Sequence, residues 1–129
     1  MIPERIADDW CSLSRRWLLE PELAKRLVLM AKKAPFPIQI ISGYRSPEKQ
    51  RQLKYEGRPA APVDLSTHTA CPSQGADIWP GIAVTRVVQA QLGEAGVTSG
   101  LRWGGGSPVD PSTGIPSDWN HFDLGRRRP

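Results

Sequence analysis

The sequence predicts an α+β domain: a small antiparallel sheet with flanking helices. Two observations carry this expectation. Helical periodicity comes first along the chain, and short strand-like segments bounded by Gly and Pro dominate the second half. A doubly wound parallel sheet would instead show a regular strand–helix alternation. The 129 residues contain no internal repeat or low-complexity linker and suit a single domain with one hydrophobic core, read as spanning 1–129.

Each element has a local reason. "EPELAKRLVLMAKKA" reads as a helix, with Pro21 suited to the first turn and Leu23, Leu27 and Met30 on one face. "FPIQIISGY" reads as a buried strand through Ile38 and Ile40. "SPEKQRQLKYEG" reads as a second helix, with Ser46 as N-cap, Pro47 at the first helical position, Glu48 in the first turn and Gly57 as the stop. Residues 58–73, rich in Pro, Ala, Ser and Thr, form a long loop, and such loops in compact domains are usually functional or mobile. "GADIWP" reads as a short strand. "GIAVTRVVQAQLGEAG" reads as a third helix, with Val84, Val87, Val88, Gln91, Leu92 and Ala95 at helical spacing and Gly96 as the stop. "TSGLRWGGG" and "WNHFDLG" read as two further short strands.

Composition narrows the function classes. Apolar residues make up 39% and charged residues 23%, as in a folded globular protein. No run of apolar residues is long enough to span a membrane. The opening "MIPERIADDWCSLSRRW" lacks the apolar centre of a signal peptide. The expectation is therefore synthesis in the cytoplasm, with any action outside it following release. The net charge of +4 mildly favours an anionic partner. The basic residues are scattered among acids and form no stripe, so nucleic acid is not expected as a partner. The terminal "RRRP" reads as a solvated tail. Cys11 and Cys71 are too few for a disulfide scaffold and match no zinc knuckle. The reading is a monomer.

Five residues carry candidate chemistry. His68, Asp77 and His121 could form a metal site, because catalytic zinc takes three ligands from His, Asp and Glu and leaves one position for water. They use both histidines of the chain. Each alone has a plainer account: a hydrogen-bonded or surface histidine, and an aspartate capping a turn. Asp118, three residues before His121, could serve as general base and then acid, or simply cap the "PSDW" turn. Arg45, at the end of a predicted strand, could bind a substrate carboxylate or stabilise an oxyanion. Otherwise it pairs at the surface with Glu48 or Asp64. Trp79, Trp103 and Trp119 lie near these motifs and could line a cleft, with core packing the alternative for at least one.

Taken together, "SGYRSPEKQRQLKYEGR", "STH" leading to "GADI", "LRWGG" and "DWNHF" occur in the order seen in a known group. In this the chain, from about Ile38 to Leu124, resembles the M15 family of zinc peptidases. That family includes D-alanyl-D-alanine carboxypeptidases and dipeptidases, and L-alanyl-D-glutamate endopeptidases that act as phage endolysins. The resemblance implies the α+β zinc-peptidase fold shared with hedgehog-like domains. It implies Zn2+ held by His68, Asp77 and His121, with Asp118 as the catalytic acidic residue. It implies that Arg45 aids substrate binding and transition-state stabilisation, and that Ser66 matches the serine two residues before the first ligand. Aspartate at position 118 is closer to the endopeptidase branch. The implied function is cleavage of peptidoglycan stem peptides by a cell-wall hydrolase. The alternative is a catalytically inactive, zinc-stabilised binding module of the same fold.

The chain departs from the family at one point. Eight residues, "TACPSQGA", separate His68 from Asp77 where the family usually has six. The insertion requires a bulge or a wider loop. It also brings in Cys71, whose thiolate is an alternative ligand to Asp77.

Overall fold

The computed structural model describes residues 2–58, 61–62 and 65–125. Residues 126–129, read above as a tail, lie outside the described residues. The order of elements is β1 (Glu4–Arg5), α1 (Trp10–Trp17), α2 (Pro21–Lys33), β2 (Ile38–Ser42), α3 (Pro47–Tyr55), β3 (Gly75–Pro80), α4 (Arg86–Thr98), β4 (Arg102–Trp103) and β5 (His121–Asp123). The strands form one antiparallel sheet in the order β1-β2-β3-β5-β4. This is the expected α+β architecture.

Side chains alternate across a strand, and that alternation divides the sheet into two faces. On one face Ile38, Ile40, Ala76, Ile78 and Phe122 are buried against Leu13 and Trp17 of α1, Leu23, Leu27 and Met30 of α2, and Leu92 of α4. Full burial of Phe122 contributes roughly 1.5–3 kcal/mol. The opposite face carries Asp77, His121, Asp123 and Arg102. Register aligns them, with Asp77 opposite His121 and Arg102 opposite Asp123.

α2 and α3 occupy the ranges their sequence signals predict. Pro21 opens α2, the Ser46 side chain accepts from Lys49 N at 3.2 Å to cap α3, and Gly57 ends α3 at φ +75°. Two N-terminal elements lie outside the segments predicted above. β1 is two residues long, and α1 spans two turns with Asp9 accepting from Ser12 N at 3.1 Å.

The third helix is displaced from its predicted span. Residues 81–85 are not helical, and Thr85 caps α4 by accepting from Val88 N. Val84 precedes the helix and Val87 lies on its outward face, and both are exposed. Gly96 does not stop the helix, which runs on to Thr98. The stop is Gly100, at φ +87°, with Gly100 N donating to Val97 O and Leu101 N to Gly96 O. This is a Schellman ending. Arg26 and Lys33 of α2 cap the same helix end, donating to the carbonyls of Gly100 and Thr98 at 2.7 and 2.6 Å.

Gly96 serves packing instead. A Cβ there would lie 2.2 Å from Phe122 Cε1, and one at Gly93 would lie 2.3 Å from Trp103 Cε2. Both glycines let α4 lie directly on aromatic rings of the sheet. Ala in place of Gly in a helix normally stabilises by about 1 kcal/mol. Gly96→Ala is expected to do the reverse, destabilising by about 1–3 kcal/mol through overpacking. A denaturant midpoint equal to or above that of the parent protein would contradict this packing role.

Candidate functional site

All five residues singled out from the sequence line one cleft of about 570 Å³ on the polar face of the sheet. Asp77 and His121 reach it from facing positions on β3 and β5. His68 enters from a turn at the end of the long loop, and Arg45 from the segment after β2, where Arg45 N donates to His68 O at 2.7 Å. The shift in β2 pairing between Ile40 and Ser42 falls next to the Ser42–Asp77 pair, so the ladder is irregular beside the site.

Three atoms converge. His68 Nε2 lies 3.1 Å from His121 Nδ1, and each lies 3.3 Å from Asp77 Oδ1. His68 Nδ1 donates to the Gly43 carbonyl at 2.7 Å, which leaves Nε2 with its lone pair. His121 Nε2 lies 2.7 Å from Asp123 Oδ2, a carboxylate that can only accept in its ionised form, which leaves Nδ1 with its lone pair. Three lone pairs therefore face one point. Such a set is repulsive unless a proton or a cation lies among the atoms. Four-coordinate zinc, with bonds of about 2.0–2.1 Å, sets its ligand atoms roughly 3.3 Å apart. The His68–Asp77–His121 group can hold a metal ion.

The wider spacing between His68 and Asp77 is absorbed by a loop. Gln74 N donates to Thr67 O at 2.9 Å to close it. Buried Ser73 bridges to the α1–α2 linker, with Ser73 N donating to Leu18 O and Glu20 N to Ser73 O. Cys71 is a free, exposed thiol outside the converging group.

Electrostatics follow from these contacts. Burial by itself would raise Asp77, but His121 and His68 outweigh it and hold the carboxyl well below its ordinary value of 3.8. Burial would lower His121, yet Asp123 and Asp77 together raise it from 6.5 to about 9. Asp118 is raised above 3.8, first by desolvation in the cleft and then by the charge of Asp77, against His121, His68 and Arg45. It sits in the turn before β5, where its N–H donates to Ser107 Oγ and its carbonyl accepts from His121 N. The Asp118 side chain caps nothing among the described residues. Arg45 does not pair with Glu48. Its Nη1 donates to Gln50 Oε1 at 2.7 Å, and its Nη2 lies 3.5 Å from Asp77 Oδ2. Asp64 lies outside the described residues.

Several parts of the site carried weak signals in the sequence or none. Asp123 is two residues from His121 on a strand, so alternation alone places it on the same face. Arg102 meets Asp123 only through the β4–β5 register. Gly105, at φ +56°, approaches the His121 ring so closely that a Cβ would lie 2.8 Å from Cδ2. The tryptophans do not line the cleft. Trp79 and Trp119 pack at 4.9 Å, and Trp103 Nε1 donates to Trp119 O at 2.6 Å. These contacts brace the Asp118 turn from outside. Ser66 is buried at the cleft wall and accepts from His68 N at 3.2 Å.

The shifts set a stability window for chelator-treated protein. A raised His121 contributes stability that is complete below pH 6.5 and lost as pH climbs through about 9. A lowered Asp77 contributes stability that is present above 3.8 and lost on further acidification. The melting temperature with chelator is therefore expected to be highest between about pH 4 and 6.5. A cation held among the three atoms would replace the proton, so added Zn2+ is expected to flatten the alkaline fall if it binds there. Superimposable alkaline limbs with and without zinc would refute the shared position.

No protein-family model matches the chain, and no curated protein matches it. Among solved structures the chain is similar to the L-Ala D-Glu endopeptidase ChiX of Serratia marcescens. The two share 20% identity with a TM-score of 0.66, over 94% of this chain and 91% of that one. At this identity the likeness is one of fold.

Proposed function

We propose that the protein is a zinc-dependent peptidase that cleaves the stem peptides of bacterial peptidoglycan, with the L-alanyl-D-glutamyl bond as its target. One observation carries the reading. Three lone-pair atoms that suit a tetrahedral cation share a cleft with a carboxyl group of raised pKa and a half-buried arginine. The fold shared with an L-Ala D-Glu endopeptidase supports the substrate class. In the family resemblance drawn from the sequence, aspartate at position 118 is closer to the endopeptidase branch.

In this reading His68, Asp77 and His121 hold the ion. Zinc, when bound, supplies Lewis acidity toward water and the scissile carbonyl. Asp118 accepts a proton from the attacking water and returns it to the departing amine, so one group serves as base and then acid. Its raised pKa suits the second task, because the carboxyl keeps a proton more readily than an ordinary aspartate. Arg45 is anchored by Gln50 and presents its remaining N–H groups to the cleft, where they can meet a substrate carboxylate or the developing oxyanion.

Mass spectrometry of fragments released from purified cell wall tests the substrate, because the new termini identify the bond. Release that chelator abolishes and zinc restores is expected. No release at all would favour the inactive binding module. Asp118→Ala should retain about one zinc per chain while losing on the order of a hundredfold to ten-thousandfold in rate. Parent-level turnover in that variant would remove Asp118 from the chemistry. Cys71→Ser should leave zinc content unchanged, and a loss of metal would reinstate Cys71 as a ligand.

A further inference from the structure

We propose that Arg102 and Asp123 form a positioning pair for His121, fixing the ring proton on Nε2 so that Nδ1 is presented to His68 and Asp77. The inference rests on the metal reading above and extends it to two residues with no place in that chemistry.

Asp123 is fully buried, and four nitrogens from three residues surround its carboxylate. Oδ1 accepts from Arg102 Nε at 2.9 Å and from Gly125 N at 2.8 Å. Oδ2 accepts from Arg102 Nη2 at 3.0 Å and lies 2.7 Å from His121 Nε2. Thr67 Oγ1 is a more distant neighbour of the same nitrogen, at 3.4 Å. The bidentate guanidinium sets both the plane and the charge state of the carboxylate. A carboxylate so held accepts a hydrogen bond and donates none, so the proton of a neutral imidazole belongs on Nε2. Gly105 then closes on the ring from another side. Carboxylates behind a ligating histidine fix its tautomer and orientation in just this way. Arg102 lies on edge strand β4, which contributes no converging atom of its own. Through Asp123 it acts on His121 one strand away.

Asp123→Asn preserves shape but removes the charge and one acceptor. Arg102 Nε and Gly125 N aim at the Oδ1 position, and Arg102 Nη2 and His121 Nε2 at the Oδ2 position, so the amide NH2 opposes a donor in either orientation. In one orientation it faces Arg102 Nη2 and the His121 ring, and in the other it faces Arg102 Nε and Gly125 N. Either way the bidentate clamp is broken and the hold on the His121 ring is loosened.

Two readouts test this on the full chain. One is the 15N correlation pattern of the His121 ring, recorded on chelator-treated protein at a pH where the ring is neutral. The other is affinity for Zn2+ alone, by competition with a chromophoric chelator. The neutral ring of the parent protein is expected to carry its proton on Nε2, and Asp123→Asn is expected to raise the zinc Kd about a hundredfold. Arg102→Gln is expected to raise it about tenfold, with Arg102→Lys between Gln and the parent. If Asp123→Asn fails to fold, the Arg102 variants and the tautomer of the parent protein decide the matter. A neutral His121 protonated on Nδ1 in the parent protein, or parent-level zinc affinity in Arg102→Gln, overturns the proposal. Absence of zinc binding by the parent protein would defeat the metal reading, while the tautomer measurement would still judge the positioning pair.

Discussion

One registration governs the site: Asp77 on β3 stands directly opposite His121 on β5. Directly opposed residues on neighbouring antiparallel strands hold their Cβ atoms about 4.5–5.5 Å apart. That spacing is what allows a short carboxylate and an imidazole to meet. The same register places Ala76 opposite Phe122 on the other face, at the centre of the core. A slip of one residue would carry both polar groups into the core and Phe122 into the cleft. Hydrophobic burial on one face therefore enforces the polar geometry on the other.

The polar face is stabilised by pairing and hydrogen bonding, since buried charges are costly when left alone. Asp77 is flanked by two histidines and approached by Arg45, and Asp123 by Arg102 and His121. Each imidazole spends one nitrogen on an anchor and turns the other inward. The result is a rigid cluster of acceptors, held by strands and not by loops alone, and such preorganisation is what a metal site requires. The widened segment between His68 and Asp77 leaves this cluster undisturbed because Ser73 carries the extra length outward to the α1–α2 linker.

Much of this was legible from local chemistry. The periodicity of α2, the cap and stop of α3, and the alternation around Ile38 and Ile40 each reflect nearest-neighbour physics, so sequence reading found them. Errors arose where a residue answered to a distant partner. Gly96 looks like a helix stop until Phe122 is seen against it. Val84 and Val87 fit a helical pattern but lie exposed, Val84 because Thr85 caps the helix after it and Val87 because it faces away from the buried Val88, Leu92 and Ala95. For the tryptophans the alternative reading holds, since Trp103 and Trp119 pack against the core and none lines the cleft. β1 is too short for a period to emerge, whereas α1 does carry a local signal, with Asp9 as N-cap and Trp10, Leu13 and Trp17 at helical spacing.

The sequence by itself determined the fold class, the helices with strong caps, and the identity of the residues able to ligate or transfer protons. These depend on side-chain chemistry and on spacing within a few residues. Only the tertiary structure decided that His68, Asp77 and His121 meet, that Cys71 stays outside, and that Arg102 stands behind Asp123. Those facts depend on loop path and strand register, which are fixed by the packing of one whole sheet face against three helices. No local signal in the chain encodes them.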